Sequence, residues 1–268
     1  MRSMQSIGAM LGMAAVLSWV DLSIGAPAEP LPARTTFRFM TYNIHHGEGV
    51  DGTVDLPRLA RLIQEERADV VALQEVDRNV RRTQGIDMPA RLAELTGLTC
   101  VFSNNLSYGG GEYGNAILTR FPVRSWTNEH LTKLGAVEQR GLLQATIEIQ
   151  GTLIRVACTH LDSSRENAER LHQVSQLKEL LSNGTPLLLG GDFNATPQSM
   201  VHRQLQEKWI DLWPLVSEGP GHTIPAQDPT RRIDYVWIEP NSVLRPKRAW
   251  VPQSLASDHL PIIIEFRL

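Results

Sequence analysis

Polar residues follow a series of apolar runs in this chain, at positions where a core strand has no need of them. The residue types are carboxylate, amide and imidazole, which are the groups that bind cations, move protons and hold phosphate. The run Met40 to Tyr42 is followed by an amide, and the run Val71 to Gln74 by a carboxylate. The complete set is Asn43, Glu75, His160, Asp192, Asn194, Asp234, Asp258 and His259.

Strand ends at one edge of a layered fold can meet in a single pocket. Burying several carboxylates together there costs too much free energy unless a cation neutralises them. The pattern therefore predicts a metal site. Carboxylate, amide and water oxygens are hard ligands, which suit Mg²⁺, with Mn²⁺ or Ca²⁺ as alternatives, better than zinc.

Short apolar runs bounded by turn residues predict the strands that would position these groups. The predicted strands are 37–42, 70–74, 98–102, 115–118, 142–149, 153–159, 186–189, 233–238 and 261–266. Helical patterns lie at 56–67, 89–95 and 165–181. The pair 142–149 and 153–159 flanks Gln150-Gly151-Thr152, which predicts a hairpin. Antiparallel pairs mixed with helices indicate an α/β or α+β layered sandwich rather than a wholly parallel sheet.

These segments, in this order, resemble the endonuclease/exonuclease/phosphatase superfamily, which includes proteins similar to deoxyribonuclease I, exonuclease III and the neutral sphingomyelinases. The resemblance spans Tyr42 to Ile262 and is strongest at Gly191-Asp192-Phe193-Asn194 and Ser257-Asp258-His259-Leu260-Pro261. It implies a four-layer α/β/β/α sandwich, in which two packed mixed sheets are flanked by helices. It also implies metal-dependent hydrolysis of phosphoesters.

The resemblance gives each residue a role. Asn43, Glu75 and Asp258 would hold the metal on the scissile phosphate. His259 and Asp234 would form a hydrogen-bonded pair that either deprotonates water or binds the phosphate. Asp192 would orient or activate water, and Asn194 would donate a hydrogen bond to the phosphate. His160 would donate to the phosphate or protonate the leaving oxygen.

One segment departs from the deoxyribonuclease pattern. Tyr113-Gly114-Asn115 supplies an amide where that branch has an acid beside its histidine. We therefore expect Asn115 to orient His160 without raising its pKa, which weakens the case for His160 as a strong general acid. Tyr113 is a candidate for substrate contact.

Other candidates have equally good structural explanations. Arg140 could reach a phosphate or be an exposed loop arginine. Asp77 and Arg78 could touch substrate or form a surface ion pair. His45 and His46 could line the pocket or its rim, and no third partner at ligand spacing in the sequence completes a zinc site with them.

The first 28 residues resemble a secretion signal. Arg2 precedes an apolar stretch from Ile7 to Val20, and Ala26-Pro27-Ala28 has the form of a signal-peptidase site. The stretch is shorter than the roughly 18 residues of a membrane-spanning helix; a disordered leader or a membrane-surface helix is the alternative. We expect one catalytic domain over residues 35–268, a monomer with no transmembrane segment in the mature chain, no obligate protein partner and a secreted or periplasmic location.

Composition narrows the substrate only slightly. The net charge of −3 disfavours a protein that lives on nucleic acid, although a small cationic rim is compatible with it. We expect a phosphodiesterase, with a secreted nuclease first and a lipid or inositol-phosphate phosphodiesterase or phosphatase second. A catalytically silent binding protein on the same fold is the third hypothesis.

Cys100 and Cys158 lie in predicted strands and are expected to be free, buried thiols.

Overall fold

Strand β1 (Thr36–Asn43) shows how the sequence builds the layers of the fold. Side chains alternate between the two faces of a strand. Phe37 and Phe39 enter the core between the two sheets, whereas Met40 and Tyr42 enter the core under the helices. Both faces of this strand are therefore buried, as a sheet covered on both sides requires. The computed structural model describes residues 36–136, 138–182 and 184–267.

Two six-stranded mixed sheets form the centre of the molecule. The first contains β1, β2 (Val70–Arg78), β3 (Thr99–Tyr108), β4 (Gly111–Thr119), β11 (Arg245–Trp250) and β12 (Ile262–Arg267), in the order β11-β12-β1-β2-β4-β3. The second contains β5 (Val123–His130), β6 (Gly141–Ile149), β7 (Thr152–His160), β8 (Leu187–Asp192), β9 (Ile210–Asp211) and β10 (Asp234–Ile238), in the order β5-β6-β7-β8-β10-β9.

Helices cover the outer face of each sheet. They are α1 (Leu56–Glu65), α2 (Met88–Thr96), α3 (Ala168–Leu180) and α4 (Met200–Gln206). The short α5 (Trp213–Val216) instead contributes Trp213 to the core between the sheets. Buried residues of α1 and α2 pack on the first sheet, and those of α3 and α4 on the second. The predicted four-layer sandwich of two mixed sheets is confirmed. No helix in the described ranges is long and apolar enough to cross a membrane.

The predicted hairpin between β6 and β7 is present, and Gln150 and Gly151 occupy left-handed backbone conformations at its turn. The edge strands β5 and β11 were not predicted, because their side chains are mostly exposed and polar and carry no apolar run. The predicted strands 98–102 and 115–118 are too short, since β3 and β4 continue to a turn at Gly109 and Gly110. Cys100 and Cys158 are both free, as expected; Cys158 is buried, but Cys100 is only partly so. The predicted leader at 1–28 lies outside the described residues.

Strand direction explains why the polar strand ends meet. Strands β1 and β2 are parallel, and so are β7 and β8, so each pair ends at one edge of its sheet. Strands β10 and β12 run antiparallel to their neighbours and begin at that edge. Register then aligns His160 with Asp192, and Asp192 with Asp234.

Candidate active site at the shared edge of the two sheets

Asp192 lies at the centre of the group of polar residues. Its Oδ2 accepts a hydrogen bond from Asn43 Nδ2 at 3.0 Å and lies 3.5 Å from His160 Nε2 and 3.7 Å from His259 Nε2. Its Oδ1 accepts a hydrogen bond from the backbone N–H of Asn194 at 2.9 Å. Burial, followed by the charge of Asp234, raises the pKa of Asp192 above its ordinary value. This carboxylate is therefore a better base than an exposed aspartate.

His259 and Asp234 form the predicted pair. Nδ1 of His259 lies 2.9 Å from Oδ2 of Asp234, and both side chains are buried. Burial disfavours the charged imidazole, but the Asp234 carboxylate, with Asp192 and Asp258, outweighs it and raises the pKa of His259 to about 10. At neutral pH the imidazole is charged and its Nε2–H points toward Asp192.

His160 receives its orientation from Arg140. Arg140 Nη1 lies 2.9 Å from His160 Nδ1, and a guanidinium can only donate, so Nδ1 is the acceptor of this bond. On the other side of the ring, Nε2 lies 3.5 Å from Asp192 Oδ2 and 3.1 Å from Asn194 Nδ2, which also donates to the backbone oxygen of Leu161. Burial, followed by the charges of Arg140 and His259, lowers the pKa of His160 well below its usual range, so the ring is neutral. Arg140 is held in turn by Glu138, 2.8 Å from its Nη2.

Asn43 links the two sheets. Its Oδ1 accepts the backbone N–H of His45 at 3.0 Å, which turns Nδ2 toward the carboxylates. Nδ2 then donates to Glu75 Oε1 and to Asp192 Oδ2, both at 3.0 Å. Placing a donor between two carboxylates offsets their repulsion, as a cation would.

Asp192 and Asp234 could hold a divalent cation, with His259 as a third ligand only if its ring loses a proton. Ligand atoms of Asp192, Asp234 and His259 lie within 4.8 Å of one another, and Asp234 Oδ1 is buried without a hydrogen-bond partner in the described part of the chain. This set differs from the Asn43, Glu75 and Asp258 set that the resemblance implies, and that set stays a prediction. Asp258 is more open than Glu75, Asp192 and Asp234, with 45% of its side chain exposed and Oδ1 3.9 Å from His45 Nδ1.

A cleft of about 210 Å³ opens above these groups. Its lining combines the catalytic candidates with aromatic and cationic side chains: Glu75, Arg82, Leu106, Tyr108, Tyr113, Glu138, Arg140, His160, Ser163, Asp192, Asn194 and His259. Arg82 lies over the rings of Tyr108 and Tyr113, at 4.7 and 5.4 Å from their centroids. The cleft therefore presents proton donors, a buried base and two guanidinium groups to one small polar ligand.

Comparison with known proteins matches this arrangement to one family. The model of the endonuclease/exonuclease/phosphatase family matches residues 40–259. The uncharacterized protein YbhP of Escherichia coli is 30% identical over an alignment of 251 positions that covers 87% of this chain and 97% of YbhP. The chain belongs to the endonuclease/exonuclease/phosphatase family.

Solved structures agree with this assignment. A crystal structure of an endonuclease/exonuclease/phosphatase from Beutenbergia cavernae has a TM-score of 0.73 at 27% identity, and the match covers 88% of this chain and 72% of that one. A mannosyl-6-phosphatase from Bacteroides thetaiotaomicron has a TM-score of 0.72 at 17% identity, covering 87% of this chain and 100% of that one. The second likeness shows the fold alone.

This family member departs from the sequence-based expectations at two arginines and one amide. Asn115 Nδ2 donates to the backbone oxygens of Gly141 and Cys158, so the expectation that it orients His160 is wrong, and Arg140 has that position. Arg78 is bound to Glu112 and stacks on Phe102, outside the lining of the cleft. Arg82 lies in the cleft instead.

Asp77 explains the position of Arg82. Asp77 is fully buried, and its two carboxylate oxygens each accept a hydrogen bond from Arg82 at 2.8 Å. The bulge in β2 between Leu73 and Val76 changes which face each later residue occupies.

Proposed function

We propose that the chain is a Mg²⁺-dependent hydrolase of phosphodiesters, in which Asp192 acts on the attacking water and the His259–Asp234 pair stabilises the charge on the phosphate. The single observation that carries this proposal is the buried position of Asp192 Oδ2, 3.5 Å from His160 Nε2 and 3.7 Å from His259 Nε2. A base beside two donors of different charge state is suited to an in-line attack on phosphate. The family membership supports the reaction class.

Each residue has a part in the proposed step. Asp192, with its raised pKa, takes the proton of the water and orients its lone pair toward phosphorus. His259, charged by its pairing with Asp234, stabilises the negative charge that grows on the phosphoryl oxygens.

His160 and Asn194 are assigned to the side of the phosphate from which the leaving oxygen departs. The Nε2–H of His160, oriented by Arg140, donates to a phosphate oxygen or to the leaving oxygen. Asn194, whose Nδ2 is 3.1 Å from His160 Nε2, faces the same space. A bound Mg²⁺ would supply Lewis-acid polarisation of the phosphoryl oxygen, and Glu75, Asn43 and Asp258 are the residues proposed to hold it.

The size of the cleft favours a second candidate, which is hydrolysis of a small phosphomonoester. A volume of about 210 Å³ walled by Tyr108, Tyr113 and Leu106 suits one phosphate and a short organic group. A nucleic-acid or lipid substrate would have to place most of its length outside this cleft.

The test is hydrolysis by the purified mature chain, first with Mg²⁺ and then with EDTA. The substrates are plasmid DNA, RNA, sphingomyelin, inositol phosphates, sugar phosphates and bis-p-nitrophenyl phosphate. We expect metal-dependent turnover of a phosphodiester that is abolished in Asp192→Asn and retained in Glu179→Gln, since Glu179 is an exposed residue near the C-terminal end of α3 and does not line the cleft. Turnover of the monoesters alone would favour the second candidate. Absence of any turnover would contradict both and favour a silent binding protein.

We also propose that the chain is exported, on the strength of the sequence of residues 1–28. Fractionation of cells that produce the full chain should yield a shortened protein outside the cytoplasm, with an N-terminus close to Ala28. Deletion of residues 2–20 should keep it inside. Full-length protein in the cytoplasm would contradict export.

A further inference from the structure

Two histidines beside the proposed magnesium ligands form a separate group with Glu75. A nitrogen of His45, a nitrogen of His46 and a carboxylate oxygen of Glu75 lie within 4.8 Å of one another. The histidines lie in a 3-10 turn directly after β1, and Glu75 lies in β2. Because β1 and β2 are parallel and Asn43 is in register with Gln74, the turn and the carboxylate meet at the same edge. The third partner that the local sequence lacks therefore comes from the neighbouring strand.

His46 has the environment of a metal-ligating histidine. It is only 7% exposed, and its Nδ1 is buried without a hydrogen-bond partner among the described residues. Its Nε2 lies 3.4 Å from Glu48 Oε2. A carboxylate can only accept, so Glu48 favours the proton on Nε2 and leaves the lone pair of Nδ1 free. Histidine ligands commonly donate their second nitrogen to a carboxylate in this way.

The backbone holds all three donors in an uncommon conformation. The φ angles are 44° at His45, 43° at His46 and 60° at Glu75, in the left-handed region that non-glycine residues seldom occupy. Such conformations persist where the surroundings impose them, and they concentrate at ligand sites. Glu75 also occupies the bulge in β2, which turns its side chain away from the regular strand pattern.

The open side of the group has a further oxygen donor. Asp258 Oδ1 lies 3.9 Å from His45 Nδ1, and the Asp258 side chain is 45% exposed. Arg82, the guanidinium whose charge acts on His46, is paired with Asp77 through two hydrogen bonds. The positive charge near the group is thus already neutralised, and two imidazoles with one carboxylate leave a net negative charge for a cation.

We propose that His45, His46 and Glu75 form a second cation site that selects a transition-metal ion such as Zn²⁺ over Mg²⁺, with Asp258 at its open side. Imidazole nitrogens suit zinc, whereas magnesium takes oxygen ligands and retains water. Two histidines and a glutamate with a position left open are a ligand set of catalytic zinc sites. The site shares Glu75 and, at its open side, Asp258 with the proposed magnesium site, but its occupancy does not depend on phosphoester hydrolysis.

The test measures metal binding directly, without substrate. Isothermal titration with Zn²⁺ is carried out in excess Mg²⁺ on the purified mature chain, and the metal retained after dialysis is counted by mass spectrometry. We expect one zinc ion per chain that Mg²⁺ does not displace. His45→Asn and His46→Asn should each weaken it by at least about a hundredfold, because even residues behind the ligands contribute about ten- to a hundredfold. Asparagine removes the imidazole and tolerates the left-handed backbone.

Two further variants make the outcome decisive. His130→Asn, an exposed histidine on β5, is the matched control and should bind zinc like the wild type. Glu48→Gln should weaken zinc binding by about tenfold or more, and it serves if a histidine variant fails to unfold cooperatively. Equal zinc affinity in the wild type, His45→Asn and His46→Asn, or complete displacement of zinc by Mg²⁺, overturns the proposal. Hydrolysis with Mg²⁺ alone tests the proposed function separately, so the failure of one is distinguishable from the failure of the other.

Discussion

Replacing Asp234 with asparagine tests the charge state of His259 with almost no change of shape. Asp234 is fully buried, and Oδ2 accepts the Nδ1–H of His259 at 2.9 Å. The amide keeps the volume but removes the charge that holds the imidazole protonated. We expect the pKa of His259 to fall from about 10 toward its ordinary value, because burial remains while the main opposing charge is gone. Turnover should fall by about 10²- to 10⁴-fold, the range for lost acid-base groups.

The magnitude for stability follows from the pKa. A rise from 6.5 to about 10 corresponds to an upper bound of about 5 kcal/mol at about 1.36 kcal/mol per pH unit. Asp192 and Asp258 supply part of it, so we assign about 2–3 kcal/mol to Asp234. Because the folded pKa of His259 is raised, this stabilisation is fully present below about pH 6.5 and is lost as the pH rises toward 10.

The assay is urea unfolding of the wild type and Asp234→Asn in EDTA between pH 7.5 and 10. The difference in unfolding free energy between the two proteins should shrink by about 2–3 kcal/mol across this window. Buried tyrosine and cysteine groups with raised pKa values, such as Tyr42 and Cys158, titrate in both proteins and cancel in the difference. NMR titration of the His259 ring measures its pKa directly. A difference that does not change with pH, or a wild-type His259 that titrates near 6.5, would refute the reasoning.

Two further predictions concern buried arginines. Asp211→Ala should destabilise the fold by about 3–5 kcal/mol in urea unfolding at neutral pH, because buried Arg232 loses its counter-charge. Arg232 donates two hydrogen bonds to Asp211, at 2.9 and 2.7 Å. A loss of unfolding free energy below about 1 kcal/mol would show that Arg232 finds water or another partner. Arg140→Met should raise the pKa of His160, measured by NMR, and lower turnover by at least about tenfold, since the charge and the donor at Nδ1 are both removed. The control is Arg124→Met, which replaces an exposed arginine of β5 and should leave the pKa of His160 unchanged.

The layered fold could be predicted because its information is local. Alternating and continuous apolar runs identify the interior strands, and Asp55 and Asp87, each followed by a proline two residues later, mark the starts of α1 and α2. The edge strands β5 and β11 could not be found this way, since an edge strand pairs through its backbone and needs few buried side chains.

The meeting of the polar strand ends was also predictable from sequence. Asn43, His160 and Asp192 each end a strand, and strands that share a direction end at the same edge of a sheet. Residue type and order therefore indicated a cation and phosphate site before any distance was known. The roles of the individual residues stay predictions, for which the variants above are the test.

The sequence by itself determined the layers, the family and the edge at which the chemistry lies. Only the tertiary structure decided which side chains touch: Arg140 and not Asn115 contacts His160, Arg82 and not Arg78 enters the cleft, and Glu75 joins His45 and His46. The physical reason is that periodicity fixes the face of a residue only along a regular strand. The direction of a side chain changes at three places: the bulge at Glu75, the left-handed turn at His45 and the loop that leads to Arg140. The geometry of these irregular segments depends on the packing of distant parts of the chain.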